Sequence, residues 1–210
     1  VGHLTSPFPD RPTDQYLQPG IPGFRDVHIY PVDGPNVRRA KVLARGHTRS
    51  GKAELWTFNL PGPLAAAQVV KSNLKQIGLE VDIKGLPPRA YYREVAAPGA
   101  SVDIAFAVWL PDYVDPSSYI DPLFDGRFIG EVNLAHFNSP KYNAMIRRAA
   151  RLQGDARYQA YGQLDVQLAR DAAPMAAVAF DTDPVLVSGR VGCALVRPGF
   201  GLNLTAACLK

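Results

Sequence analysis

The chain has 210 residues and a formal net charge of +4, and 47% of its residues are hydrophobic while 20% are charged. This composition is ordinary for a globular protein with a substantial core, and no apolar run is long enough to span a bilayer. The basic residues are scattered, and Arg147, Arg148 and Arg151 on a predicted helix indicate a solvated face, so nucleic acid is not an expected partner.

The first segment, residues 1–27, is rich in proline, with Pro7, Pro9, Pro12, Pro19 and Pro22. Proline removes backbone donors and fixes φ, so this segment is predicted to run extended over a surface rather than to form a core element. We interpret it as a proline-rich connecting arm.

Helical and strand patterns alternate after the arm. A short helix is predicted over residues 37–45, a strand over 54–60, a helix from Pro63 to Ile77, and an alternating strand over 79–84. The strand, helix and strand form a βαβ unit, so the two strands are expected to be parallel neighbours. A further short helix near residues 91–95 leads to a third predicted strand over 102–109.

Two helices are predicted in the second half of the chain. Ser139-Pro140 begins one helix, with Tyr142, Met145, Ile146 and Ala149 on its apolar face. Asp155 is predicted to cap the other helix. Residues 175–180 and 185–187 are predicted strands, and the whole pattern indicates an α/β domain.

Several motifs suggest chemistry that their context does not support. Residues 46–52 match the start of a phosphate-binding loop, but Ala53 replaces the hydroxyl residue that coordinates magnesium, and the loop leads from a helix into a strand. The carboxylates Asp112, Asp115, Asp121 and Asp125 lack the spacing and glycine of a calcium loop. The sequence therefore predicts no metal and no cofactor.

Two cysteines, Cys193 and Cys208, lie near the end of the chain. They are either unrelated buried thiols or a disulfide that closes a loop of about fifteen residues. The sequence alone leaves both alternatives open.

The segment Trp109-Leu110-Pro111-Asp112-Tyr113-Val114-Asp115-Pro116 follows the third predicted strand, where open α/β sheets bind ligands. Trp109 supplies an aromatic face and Asp112 a carboxylate, which together suit a ligand with an ammonium group. The alternative is a core tryptophan, with Asp112 as the cap of a short helix near residues 116–119.

This segment resembles the Trp-x-x-Asp-Tyr-x-Asp-Pro stretch of the family-5 extracellular solute-binding proteins, which are receptors of ABC importers for oligopeptides and dipeptides. Further stretches resemble the same family in the same order. They are residues 36–44, 67–81, the pieces at 157–158, 163–164 and 171–174, and residues 188–191.

The resemblance implies the C-terminal lobe of a type II periplasmic-binding-protein fold, with a mixed sheet flanked by helices. Residues 28–183 would form the α/β ligand-binding lobe, and residues 184–210 a tail that returns to the missing other lobe. Asp112 would hold the α-ammonium group of a peptide beside Trp109, while Tyr113, Asp115 and Pro116 shape the loop. Because family members are more than twice as long, the chain is expected to be a fragment that binds peptide weakly or not at all.

The resemblance also implies a setting and a partner. The protein would work outside the cytoplasmic membrane, tethered through a lipidated N-terminus in its full-length form, and would deliver peptide or another small solute to ABC permease subunits. This oxidising setting favours the Cys193–Cys208 disulfide. The rival interpretations are a secreted hydrolase that uses Asp112 and Asp115, and a protein-interaction module; the resemblance favours a binding protein that is not an enzyme.

Overall fold

The structure, a computed structural model, describes residues 10–48, 50–181, 185–197 and 201–210. The helices are α1 (Val37–Ala44), α2 (Pro61–Lys75), α3 (Pro88–Ala96), α4 (Ser117–Phe124), α5 (Pro140–Ala150) and α6 (Gly154–Gln167). The strands are β1 (Arg11–Pro12), β2 (Lys52–Phe58), β3 (Glu80–Leu86), β4 (Ile104–Ala105), β5 (Ala179–Phe180), β6 (Val191–Gly192), β7 (Val196–Arg197), β8 (Gly201–Leu202) and β9 (Cys208–Leu209). Within these residues, no helix has both the length and the apolar character that a membrane span requires.

A three-stranded parallel sheet in the order β3-β2-β4 organises the first half of the chain. The predicted parallel neighbours β2 and β3 pair along their whole length, from Lys52 opposite Glu80 to Phe58 opposite Leu86. This confirms the βαβ unit. The third strand is shorter than predicted, because β4 pairs with β2 only at Leu55 and Trp56 and the chain then leaves the sheet towards the helices.

The two faces of the sheet bury separate apolar clusters, as alternating side chains require. On one face, Leu55 and Val81 pack with Ala67 of α2. On the other face, Trp56 packs with Tyr91 and Val95 of α3. The sheet is therefore covered by a helix on each side.

A larger helical core lies in the second half of the chain. The predicted apolar face of α5 is confirmed, because Tyr142, Ile146 and Ala149 are buried and Met145 packs against the same cluster. α4 and α6 complete this core. The prediction that Asp155 caps α6 is wrong: Gln153 occupies the cap position, and Asp155 lies in the first turn, where a negative charge still favours the helix dipole.

The prediction that the proline-rich arm stays on the surface is wrong for its described part. Leu17 has no exposed area and Ile21 only 5%, and both belong to the helical core. Burial is possible because the carboxylate of Asp165 accepts hydrogen bonds from the backbone N–H groups of Tyr16 (2.9 Å) and Leu17 (3.3 Å). β1 also pairs with β5, which is all that remains of the predicted strand over residues 175–180.

Short antiparallel pairs organise the C-terminal region. β6 pairs with β9 and β7 pairs with β8, and a disulfide joins Cys193 to Cys208 across a Cα–Cα distance of 5.3 Å. The predicted disulfide is thereby confirmed. The predicted strand over residues 185–187 is wrong, because these residues pair with no neighbouring strand in the described part of the chain.

Candidate functional site

The candidate site is the loop that leaves β4 at its carboxyl end and enters α4, with Trp109 to Pro116 as its centre. Crevices outside the carboxyl ends of parallel strands are the common ligand sites of α/β sheets. Here the loop also bridges the two halves of the molecule, because β4 belongs to the sheet and α4 to the helical core.

Trp109 is anchored at the rim of the helical core. Its ring is partly buried against that core, and its indole Nε1–H donates a hydrogen bond to the carbonyl oxygen of Ser118 at 2.7 Å. The interpretation of a core tryptophan is therefore partly right, but the residue keeps an accessible portion. Its ring orientation is set before any ligand arrives.

Asp112 is exposed, and the described part of the chain donates no hydrogen bond to its carboxylate. Its backbone N–H donates to the Ser118 hydroxyl at 2.8 Å, which fixes the position of the residue. It does not cap α4. An exposed carboxylate on a held backbone is available to pair with a cation from outside the chain.

Asp115 precedes Pro116, the cap residue of α4, and its side chain holds the first residue of that helix. Its Oδ1 accepts hydrogen bonds from the backbone N–H of Ser117 at 2.9 Å and from the Ser117 hydroxyl at 2.6 Å. Burial acts to raise the pKa of Asp115, but hydrogen bonds from Arg157 and Ser117 outweigh it and hold the pKa below its ordinary value. Asp115 is therefore ionised at neutral pH, and its carboxylate is engaged by Arg157 and Ser117.

Arg157 of α6 ties the loop to both neighbouring helices. It forms a bidentate pair with Asp115, at 2.9 Å from Nη2 to Oδ1 and 3.2 Å from Nε to Oδ2. Its Nη1 also donates to the carbonyl oxygen of Ala150 at 3.0 Å, and its guanidinium lies 4.9 Å from the Tyr161 ring centroid. Local sequence patterns do not predict this role, because Arg157 is 42 positions from Asp115. The serine two residues after Asp115 is a local sign of the Asp115–Ser117 hydrogen bonds.

The other two carboxylates of the cluster, Asp121 and Asp125, form hydrogen bonds or ion pairs within the protein. Burial raises the pKa of Asp121 to about 6, and its carboxylate accepts a hydrogen bond from the Tyr161 hydroxyl at 2.9 Å. Asp125 pairs with Arg127 at 2.9 Å. Asp112 is exposed while Asp115 is held by Arg157, so these two carboxylates have different surroundings.

The remaining predicted loop residues have distinct surroundings. Pro116 is buried at the start of α4, while Tyr113 is 53% exposed and its hydroxyl lies 3.3 Å from that of Ser117. Three further apolar side chains of the loop are at least half exposed, namely Val108, Leu110 and Val114. Together with Tyr113 they are exposed apolar residues that precede and follow Asp112 in the chain, and we call these four residues the apolar rim. Such a rim indicates a surface that a ligand or another lobe covers.

The loop is an open surface rather than a closed cavity. A cavity of about 430 Å³ lies elsewhere, between the arm and the end of the helical core, where Asp14, Tyr30 and Met175 contribute to its walls. Within residues 10–48, 50–181, 185–197 and 201–210, no group of three or more histidine, cysteine or carboxylate side chains is arranged to hold a metal ion.

Comparison with known proteins finds similarity to bacterial solute-binding proteins. The sequence profile described as "Bacterial extracellular solute-binding proteins, family 5 Middle" matches residues 10–131. The probable ABC transporter periplasmic-binding protein SapA of Escherichia coli K12 is 30% identical over 122 residues, which are 57% of this chain and 21% of that protein. Heme-binding protein A of Haemophilus influenzae is 26% identical over 198 residues, which are 89% of this chain and 35% of that protein.

Solved structures show the same fold at low sequence identity. Clavulanic acid biosynthesis oligopeptide binding protein 2 superposes with a TM-score of 0.87 at 20% identity, over 99% of this chain and 40% of that one. The dipeptide-binding protein of Pseudoalteromonas sp. SM9913, in complex with Met-Leu, superposes with a TM-score of 0.75 at 18% identity, over 96% of this chain and 40% of that one. The predicted type II periplasmic-binding-protein fold is thereby confirmed. The chain spans well under half the length of each of these proteins.

Proposed function

Because the chain belongs to the bacterial extracellular solute-binding proteins of family 5, we propose that it supplies one lobe of the solute-binding component of an ABC importer. The observation that carries this proposal is the state of Asp112. Its carboxylate is exposed and unpaired within the described residues, and it lies on a loop that Ser118 and the Asp115–Arg157 pair hold in place.

The solute we propose is a peptide with a free α-ammonium group. A carboxylate beside an anchored tryptophan provides a charge partner and an aromatic face for that group, and the apolar rim provides contacts for neighbouring side chains. The relatives are consistent with this class, since one is named "Peptide transport periplasmic protein SapA" of Salmonella typhimurium. In this proposal Asp112 binds the ammonium group, Trp109 packs beside it, and Tyr113, Asp115 and Pro116 shape the loop.

The site is one half of a clamp in this proposal. Ligand sites of high affinity bury most of the ligand surface, whereas Asp112 and the rim lie on an open face. Closure by a second lobe would complete the burial through a hinge motion. Residues 28–183, with Leu17 and Ile21 of the arm packed into their helical core, then form the lobe, and residues 184–210 return towards the other lobe.

Solute binding is favoured over catalysis by the geometry of the loop. The family consists of solute-binding proteins rather than enzymes. Of the two carboxylates that a hydrolase would need, Asp115 is already engaged by Arg157. We therefore expect no hydrolysis of bound peptide.

The setting we propose follows from the same family. Relatives are named periplasmic, and the protein is expected to act outside the cytoplasmic membrane, tethered by a lipidated N-terminus in its full-length form and handing solute to ABC permease subunits. The Cys193–Cys208 disulfide is consistent with an oxidising compartment.

A titration of the 210-residue chain, monitored by the Trp109 indole N–H resonance, tests the site. Millimolar dipeptide with a free amine should shift this resonance and saturate only weakly, because one lobe leaves most of the ligand solvated. The N-acetylated dipeptide should produce no shift, since it lacks the ammonium group. Asp112→Asn should abolish the response, whereas Asp82→Asn, an exposed aspartate on β3, should retain it.

Two results would count against the proposal. Equal shifts from the free and acetylated dipeptides would show that Asp112 does not bind an ammonium group. Micromolar affinity of the chain alone would show that a second lobe is not needed for the clamp.

A further inference from the structure

Helix α1 is unusual in this fold because none of its residues is buried. A helix on a globular protein normally packs one apolar stripe against the core. Here Val42 is 58% exposed and Leu43 63% exposed. The cap of the helix is nevertheless well formed, since the Asn36 side chain accepts a hydrogen bond from the Arg39 backbone N–H at 3.0 Å.

The exposed surface of α1 is strongly basic. Its exposed cations, together with the residue that follows the helix, are Arg38, Arg39, Lys41 and Arg45. No aspartate or glutamate occurs between Gly34 and Ala53, and within the described residues none of these cations forms an ion pair. Four cations thus lie within residues 38–45, compared with three within residues 147–151. We call these four residues, with Val42 and Leu43, the α1 patch.

Cationic and apolar side chains are interleaved on the α1 patch. Residues four positions apart lie one above the other on a helix, so Arg38 neighbours Val42 and Arg39 neighbours Leu43. Each exposed apolar side chain therefore lies one turn from an arginine. This combination is typical of elements that bind at the interface of an anionic bilayer.

The α1 patch and the candidate ligand site occupy opposite edges of the sheet. The end of α1 continues through a turn at Gly46 into Lys52, the first residue of β2, at the amino edge of the parallel strands. The Trp109 loop leaves β4 at the carboxyl edge. A surface contacted through α1 would thus leave Asp112 free.

We propose that the α1 patch binds the anionic headgroups of a phospholipid bilayer. Four cations that lack acidic partners within the described residues would be costly to bury against a protein surface that supplies no matching carboxylates. A headgroup layer keeps the cations hydrated, neutralises them and accepts Val42 and Leu43 at shallow depth. The patch has no aromatic side chain on which nucleic-acid bases would stack.

Vesicle co-sedimentation of the 210-residue chain tests this proposal. We expect binding to phosphatidylcholine vesicles that contain about one third phosphatidylglycerol, no binding to pure phosphatidylcholine, and release at high salt. Replacing Arg38, Arg39 and Lys41 by glutamine should lower the partition coefficient about 100-fold. Inorganic phosphate at millimolar concentration should not compete, because the affinity depends on a charged surface rather than on one anion.

The matched control replaces Arg147, Arg148 and Arg151 by glutamine, which removes the same charge from exposed positions on α5 and at its C-cap. It should bind vesicles nearly as well as the parent chain, and circular dichroism should show both variants folded. An equal loss in the two variants, or equal binding to both vesicle types, would overturn the proposal. Leu43→Gln alone should weaken binding a few-fold relative to the parent chain, because it removes an apolar contact with the bilayer interface.

Discussion

Replacing Arg157 by methionine is expected to destabilise the chain and to loosen the candidate loop. The substitution keeps the aliphatic bulk of the side chain but removes its bidentate pair with Asp115 and its hydrogen bond to Ala150. The Arg157 side chain is 18% exposed and that of Asp115 is 20% exposed. The pair is therefore intermediate between the surface and the interior.

The expected loss of stability follows from the partial burial of the Asp115–Arg157 pair. Surface ion pairs contribute about 0.5 kcal/mol, while removing one partner of a buried pair costs about 3–5 kcal/mol. For a pair of this exposure we expect Arg157→Met to lower the free energy of unfolding by about 2 kcal/mol. Arg148→Met removes an exposed arginine of α5 that has no ion pair within the described residues, and it should change stability by less than about 0.5 kcal/mol.

Urea denaturation followed by circular dichroism measures both variants, and a double-mutant cycle with Asp115→Asn isolates the pair. The pKa of Asp115 lies below its ordinary value, so the pair stabilises the fold above about pH 4 and this contribution is lost as pH falls through the folded-state pKa. In the Arg157→Met variant, this decrease in stability at low pH should be absent. If Arg157→Met costs no more than Arg148→Met, or the coupling energy is near zero, the reasoning is refuted.

Three further predictions concern the arm, the buried carboxylates and the tail. Leu17→Ala should lower the free energy of unfolding by about 2–5 kcal/mol in urea denaturation, because Leu17 is fully buried. Val27→Ala, at a 42% exposed site, should lower it by less than about 1 kcal/mol. Similar losses in the two variants would contradict the burial of the arm. Burial raises the pKa of Asp165 to about 6, so its ionisation should lower stability by up to about 2 kcal/mol as pH rises from about 4 to 6, and Asp165→Asn should flatten that slope. A free-thiol assay on denatured, unreduced protein should detect no thiol at Cys193 or Cys208, and reduction of this 15-residue loop should cost about 3 kcal/mol; two titratable thiols would contradict the pairing.

Local patterns in the sequence were sufficient for the elements whose shape depends on near neighbours. The alternation over residues 79–84 predicted β3, and the spacing of Tyr142, Ile146 and Ala149 predicted the buried face of α5. Strand alternation and helix periodicity are read over a few residues, which is why a single sequence carries them. The Trp109–Pro116 loop was located by its place after a strand together with its resemblance to the Trp-x-x-Asp-Tyr-x-Asp-Pro stretch of the family.

Contacts between distant segments were decided only by the tertiary structure. The pairing of Asp115 with Arg157 spans 42 positions, and the hydrogen bond from Tyr16 to Asp165 spans 149. Prolines in the arm predicted exposure, yet a buried carboxylate on α6 satisfies its backbone donors and lets Leu17 enter the core. The sequence thus determined the βαβ unit, the buried face of α5 and the position of the candidate loop. Packing decided that Asp115 is held in the structure while Asp112 faces solvent, because burial and ion pairing depend on neighbours that only the folded chain brings together.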